Sequence, residues 1–201
     1  MPIVHGQEVG PIGYGLMGLT WLPTTQNTDD EKIAVMKAAL EAGATAWNGG
    51  EFYGTPEDNS LTLMKKYFTK YPEDAKRVKS INIKGGNRPP FTVDNSPEYT
   101  RESVENCISL LGGKARINLW EMGRRVTQRE YLDSLRVLDG FVKEGKIDGV
   151  SLSEINANTI RQAVKVTKVA AVEVEVSLAQ NDVLRNGIAE ACAEFGIPIF
   201  A

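Results

Sequence analysis

Short apolar runs rich in β-branched residues alternate along the chain with longer segments whose apolar residues recur at helical spacing. The first run, Pro11–Leu16, reads PIGYGL. An acidic start at Asp29–Glu31 then predicts a helix that places Ile33, Met36 and Leu40 on one face, leaves Lys32 and Lys37 in water and stops at Gly43. A brief strand, Ala44–Trp47, leads into NGGEFYG, and a helix from about Asn59 to Tyr71 carries Leu61, Met64 and Phe68 inward. After a strand at Val78–Ile83, Ser96-Pro97-Glu98 supplies an N-cap, a first-turn proline and an early acid. That helix buries Val104, Cys107, Ile108 and Leu111 and ends at Gly112-Gly113. The unit recurs as strands Ile117–Met122, Val150–Leu152, Ala171–Val176 and Ile197–Ala201, separated by helices Arg129–Glu144, Asn158–Thr167 and Val183–Phe195.

Seven strands and six helices in strict alternation predict parallel strands joined by helical crossovers. An open doubly wound sheet and a closed barrel both satisfy that pattern. GxGxxG occurs at Gly13, Gly15 and Gly18, but these glycines fall within and just beyond the first strand, and Pro23 then leads into a Thr/Asn loop. A dinucleotide fingerprint belongs in the turn that opens the first helix, so the match is read as incidental. The expected fold is α/β, of the (β/α)₈ TIM-barrel type and incomplete, with residues 1–201 forming a single domain.

Composition narrows the partners. Of 201 residues, 42% are hydrophobic and 24% charged, which suits one soluble domain with a sizeable core. Net charge is −3, and the 23 basic residues are scattered, so nucleic acid has no electrostatic footprint. Apolar runs such as Val169–Val172 are far too short to span a membrane. The N-terminus, MPIVHGQEVG, lacks a signal-peptide layout. Cys107 and Cys192 form no CxxC or Cys/His cluster, which is consistent with buried thiols in a reducing, cytoplasmic setting. His5 is the single histidine, so no metal site is expected.

In a (β/α) barrel the C-terminal strand ends build the active site. Here they carry Trp47-Asn48 running to Tyr53, then Lys84-Gly85-Gly86, Trp120 to Arg125, Ser153-Glu154, and Val172 to Glu175. Tyr53 and Lys84 form a suggestive pair. A phenol near pH 10 is a poor acid at neutrality, and a neighbouring ammonium lowers its pKa, which would let Tyr53 protonate a carbonyl oxygen. A surface tyrosine capping a turn and a rim lysine with its stem on apolar surface satisfy the same spacing.

The stretches PIGYGLMGLT, WNGGEFYG, IKGG and GKIDGVSLSE resemble the aldo-keto reductases in order and spacing, over the whole chain. LLGGKARINLWEMGRR and AAVEVEVSL are similar to the fungal pyridoxal reductase-like branch. The resemblance implies a NADPH-dependent reductase of aldehydes or ketones, with Tyr53 as proton donor and Lys84 as its pKa-lowering partner. It places Asn48 where most members have an aspartate that pairs with the lysine, and Gly123 where most have a carbonyl-orienting histidine. Asn48 brings no negative charge and Gly123 no imidazole. Ser153 and Glu154 match the pair that holds the nicotinamide carboxamide, and Glu173 matches its glutamine partner. An ionised glutamate there can accept from the amide but not donate. Thr20 and Trp21 would sit near the nicotinamide and the substrate mouth, and Trp120 either lines the same cavity or fills a buried strand position.

The resemblance also predicts a continuation past Ala201. It would carry the nicotinamide-stacking tyrosine, the phosphate loop, an eighth strand and the basic residues that select NADP. Seven strands leave an unclosed edge that a homodimer could cover. Two classes of function follow. One is a reductase acting on pyridoxal or on a carbonyl of a secondary-metabolite pathway. The other is a catalytically inactive barrel fragment that serves as a binding or regulatory protein.

Overall fold

Capping chemistry written into the sequence sets the helix starts. The computed structural model describes residues 1–21, 27–89 and 91–201. An N-terminal hairpin of β1 (Ile3–Val4) and β2 (Gln7–Glu8) precedes β3 (Tyr14–Gly15), the short α1 (Met17–Thr20), α2 (Asp29–Glu41) and β4 (Ala46–Gly50). Then come α3 (Ser60–Lys70), a 3-10 turn over Pro72–Lys76, β5 (Ser80–Gly85), a small hairpin of β6 (Asn87–Arg88) and β7 (Thr92–Val93), and α4 (Pro97–Leu111). The chain continues through β8 (Leu119–Met122), α5 (Gln128–Lys143), β9 (Gly149–Ser153), α6 (Ala157–Ala163), β10 (Val169–Glu173), α7 (Ile188–Phe195) and β11 (Ile199–Phe200). Thr28 and Glu31 close a reciprocal capping box at α2. Ser96 caps α4 ahead of Pro97, and Gly112 ends it in the left-handed conformation at φ 61°.

The main sheet has the order β11-β10-β9-β8-β5-β4-β3, every pair parallel. Each strand therefore lies beside its neighbour in sequence, and the order never reverses. A doubly wound nucleotide fold requires such a reversal. The sheet is also curled. In a flat sheet β4 and β10, four places apart, would be separated by about 19 Å, yet Asn48 Nδ2 donates to Glu173 Oε2 at 2.8 Å. The architecture is an incomplete (β/α)₈ barrel of seven strands.

Strand alternation sorts side chains between two faces. Trp47, Ile81, Ile83, Trp120, Val150, Leu152 and Val172 face outward into the main core under the helices. Asn48, Asn82, Lys84, Glu121, Ser151, Ser153 and Glu173, at the other parity, line the lumen. At its lower end Val4 and Val9 of the N-terminal hairpin plug the lumen against Leu119 and Ala171.

Several boundaries differ from the sequence reading. The first strand shrinks to Tyr14–Gly15. The last helix starts at Ile188, because Asp182–Leu184 forms a 3-10 turn and Gly187 takes a φ of 84°. Lys32 is buried at 6% exposure, not wet, with its ammonium 3.9 Å from Asp58. Its stem packs inward while its head finds a carboxylate, which periodicity alone does not anticipate. Pro23 of the Thr/Asn loop lies outside the described residues.

Candidate active site

Register determines who meets whom at the upper end of the lumen. Asn48 lies opposite Asn82 and Gly50 opposite Lys84. On the other side of β5, Lys84 lies opposite Glu121. Gly50 has no side chain, so the lysine has its lateral partner on β8. Lys84 Nζ stands 3.0 Å from Glu121 Oε1, forms an ion pair with Glu173, and donates to Asn48 Oδ1 at a long 3.4 Å. Lys84 is 5% exposed and Glu121 fully buried.

Tyr53 follows β4 on a turn that only glycine permits. A Cβ on Gly50 would lie 2.8 Å from Tyr53 Cγ, so the ring rests directly on the backbone. The loop is anchored beyond it by Asn59, which caps α3 by accepting from the Leu61 and Thr62 amides. Tyr53 is 7% exposed. Trp21 stacks on its ring at 5.2 Å, and Phe91 stacks on Trp21 at 4.8 Å. Phe52 meets all three rings edge-on. A cleft of about 750 Å³ opens against this stack, lined by Trp21, Phe52, Asn87 and Phe91 among others.

The electrostatics reverse one expectation. Burial pushes the Tyr53 phenol up, Lys84 pulls it down, and Glu173 and Glu121 push it up again, so the net shift is upward. A lysine flanked by two carboxylates has little charge left to lend. Burial draws the Lys84 ammonium down, but Glu121 and Glu173 more than reverse this and hold it above its ordinary range. The Glu173 carboxyl is raised by burial and by Glu121, against the pull of Lys84.

Tyr53, Lys84, Asn48 and Glu173 are thus brought together, with Ser153 opposite Glu173 in register and 2% exposed. Glu154 is not drawn in. It sits past the end of β9 at φ 49°, exposed, with Oε1 accepting from the Glu175 amide at 2.9 Å. Thr20 ends α1 with its hydroxyl 3.3 Å from that of Ser60. Trp120 is fully buried on the outer face of the sheet, against Gly85, and does not line the lumen. At Gly123 the space a side chain would need is taken by the Phe52 ring, whose Cζ would be 2.9 Å from a Cβ. Two further residues have no role assigned by the sequence reading. Glu121 carried a signal in its position, an acid inside an apolar strand two residues from a lumen leucine. Phe91 carried none.

The lumen residues suit a nicotinamide carboxamide in chemistry. A cavity of about 470 Å³ runs between β3 and β11, lined largely by the N-terminal segment from Pro2 to Gly15, with Asn48 and Glu173 on its wall and Tyr53, Lys84 and Ser153 outside it. Glu173 retains lone pairs beyond those used by Asn48 and Lys84, and Ser153 offers a hydroxyl. Among the described residues no group of three or more His, Cys, Asp or Glu could hold a metal ion, and no helix is long and apolar enough to cross a membrane.

Residues 11–201 match the Aldo/keto reductase family. A Schizosaccharomyces pombe protein named "Probable pyridoxal reductase 2" is 40% identical over 203 residues, covering 100% of this chain and 60% of that protein. A Saccharomyces cerevisiae protein provisionally named a pyridoxal reductase is 39% identical, over 93% of this chain and 57% of its own length. The chain therefore spans less than two thirds of these curated relatives. A Pseudomonas aeruginosa crystal structure, assigned to the aldo-keto reductases, superposes with a TM-score of 0.80 at 20% identity, covering 99% of this chain and 75% of that one. With its whole length accounted for by these matches and its strands in the corresponding barrel, the chain belongs to the aldo/keto reductase family.

Proposed function

We propose that this chain provides the proton-delivering half of a NADPH-dependent reductase of aldehydes, with Tyr53 as the proton donor and Lys84 as its electrostatic partner. The observation that carries the reading is the convergence of Lys84, Asn48 and Glu173 in the lumen, with Tyr53 just beyond β4 and within the electrostatic reach of Lys84. NADPH, when bound, supplies a hydride to the carbonyl carbon. Tyr53 then gives its phenolic proton to the carbonyl oxygen as negative charge develops there. Lys84 stabilises the phenolate left behind, more effectively once Glu173 turns toward the carboxamide of the cofactor. Glu173 would hold the carboxamide NH₂ as an acceptor, and the Ser153 hydroxyl would hold its oxygen as a donor. The cleft beside Trp21, Phe52 and Phe91 has room for a small aromatic aldehyde, and the pyridoxal reductase names of the relatives make pyridoxal the first substrate to try.

The test is a fluorescence titration of the purified chain with NADPH, with NADH alongside, followed by pyridoxal turnover. Saturable binding that prefers NADPH is expected. Tyr53→Phe is expected to cut turnover at least about 100-fold with cofactor affinity unchanged. Full turnover by Tyr53→Phe sinks the mechanism. A folded chain that binds neither cofactor supports the second reading, an inactive barrel acting as a binding protein. The observation on that side is the raised Tyr53 phenol beside an ammonium already paired with two carboxylates.

A further inference from the structure

Glu121 is the most thoroughly enclosed charged group near the site. It is fully buried, and neither of its carboxylate oxygens receives a hydrogen bond among the described residues. Its one cationic contact there is Lys84 Nζ, at 3.0 Å, and the Glu173 carboxyl is its other ionisable neighbour. A carboxylate held that way is expensive unless a cation answers it. The register of β5 against β8 puts the two residues side by side, so the pairing is fixed by the backbone.

The other acid differs in kind. The Glu173 side chain is 28% exposed, reaches across the lumen from β10, and shares its second oxygen with Asn48. It is free to turn to another donor. Asn48, in turn, offers only a neutral oxygen at 3.4 Å. Glu121 has no second cation within ion-pair distance among the described residues.

We propose that Glu121 is the resident counter-ion of Lys84, a positioning residue that supplies from β8 the fixed negative charge that Asn48 does not supply from β4. The positioning role rests on the reductase reading above, whereas the charge pairing stands on geometry alone. When Glu173 leaves for another partner, Glu121 keeps the ammonium in the lumen.

The pairing is tested on the chain itself, without cofactor, by urea denaturation from pH 5 to pH 8. In Lys84→Met the enclosed Glu121 has lost its cation. An unpaired buried carboxylate costs stability only in its ionised form, so stability falls as pH increases. The urea midpoint of Lys84→Met is expected to drop by roughly 1 M over that range relative to wild type. Lys84→Met/Glu121→Gln should remove most of the drop, because the partly exposed Glu173 can turn to water, and Lys84→Met/Glu173→Gln should retain most of it. The reverse pattern, or a flat profile in Lys84→Met itself, overturns the proposal.

Where Lys84→Met does not fold, acylation of Lys84 followed by mass spectrometry decides. Glu121→Gln is expected to raise its rate at pH 8 by at least about tenfold, by freeing the neutral amine, while Glu121→Asp leaves it near wild type. A wild-type rate in Glu121→Gln overturns the proposal. Loss of NADPH binding with these pH effects intact would refute the reductase reading and leave the pairing standing.

Discussion

Gly50 shows how much a single residue controls here. The Tyr53 ring lies against its backbone at a distance that excludes even a methyl group. Gly50→Ala should therefore lift the ring from its place between Gly50 and Trp21, costing about 1–3 kcal/mol in urea denaturation and most of any aldehyde turnover. Unchanged stability and turnover would show that the ring is not held by this contact. Tyr53 and Lys84 could be picked out in the sequence because each follows or ends a strand, and barrel strand ends gather at one face. The sign of the Tyr53 shift could not, because it depends on Glu121 and Glu173, acids from strands much further along the chain. The burial of Lys32 was hidden for a similar reason, since its partner Asp58 belongs to a loop of another unit.

Among elements, the 3-10 turn over Pro72–Lys76 acts as a clasp between α2 and α3. Asp74 within it is fully buried and accepts from Lys37 at 2.7 Å, from the Tyr67 hydroxyl at 2.7 Å and from Arg77 at 2.8 Å. Burial alone would raise this carboxyl, but the three donors outweigh it and hold it below its ordinary range. A depressed folded-state pKa stabilises the protein above the unfolded value and loses that effect as pH falls through the folded one. Asp74→Asn should cost about 3 kcal/mol at pH 7. The gap between the two proteins should stay constant down to about pH 5 and close below about pH 4. A gap that persists unchanged in acid would remove the charge from the explanation. The six larger helices were legible from their stripes and caps. The small hairpins β1–β2 and β6–β7 were not, since two-residue strands leave no period to read.

For the whole molecule, the N-terminal hairpin is a stopper rather than an appendage. Val4 and Val9 are 1% and 2% exposed, pressed on Leu119 and Ala171 inside the lower lumen. Val4→Asp should lower stability by at least about 2 kcal/mol in urea denaturation, and an unchanged midpoint would mean the hairpin is dispensable. The strand order has a consequence for how the site is put together over time. Each strand docks on the one made just before it, so every step closes a short loop. Lys84 meets Glu121 as soon as the next sheet strand arrives, whereas Glu173 comes 89 residues after the lysine and 125 after Asn48. As the chain lengthens from its N-terminus, Glu121 is therefore available to Lys84 about fifty residues before Glu173 is made.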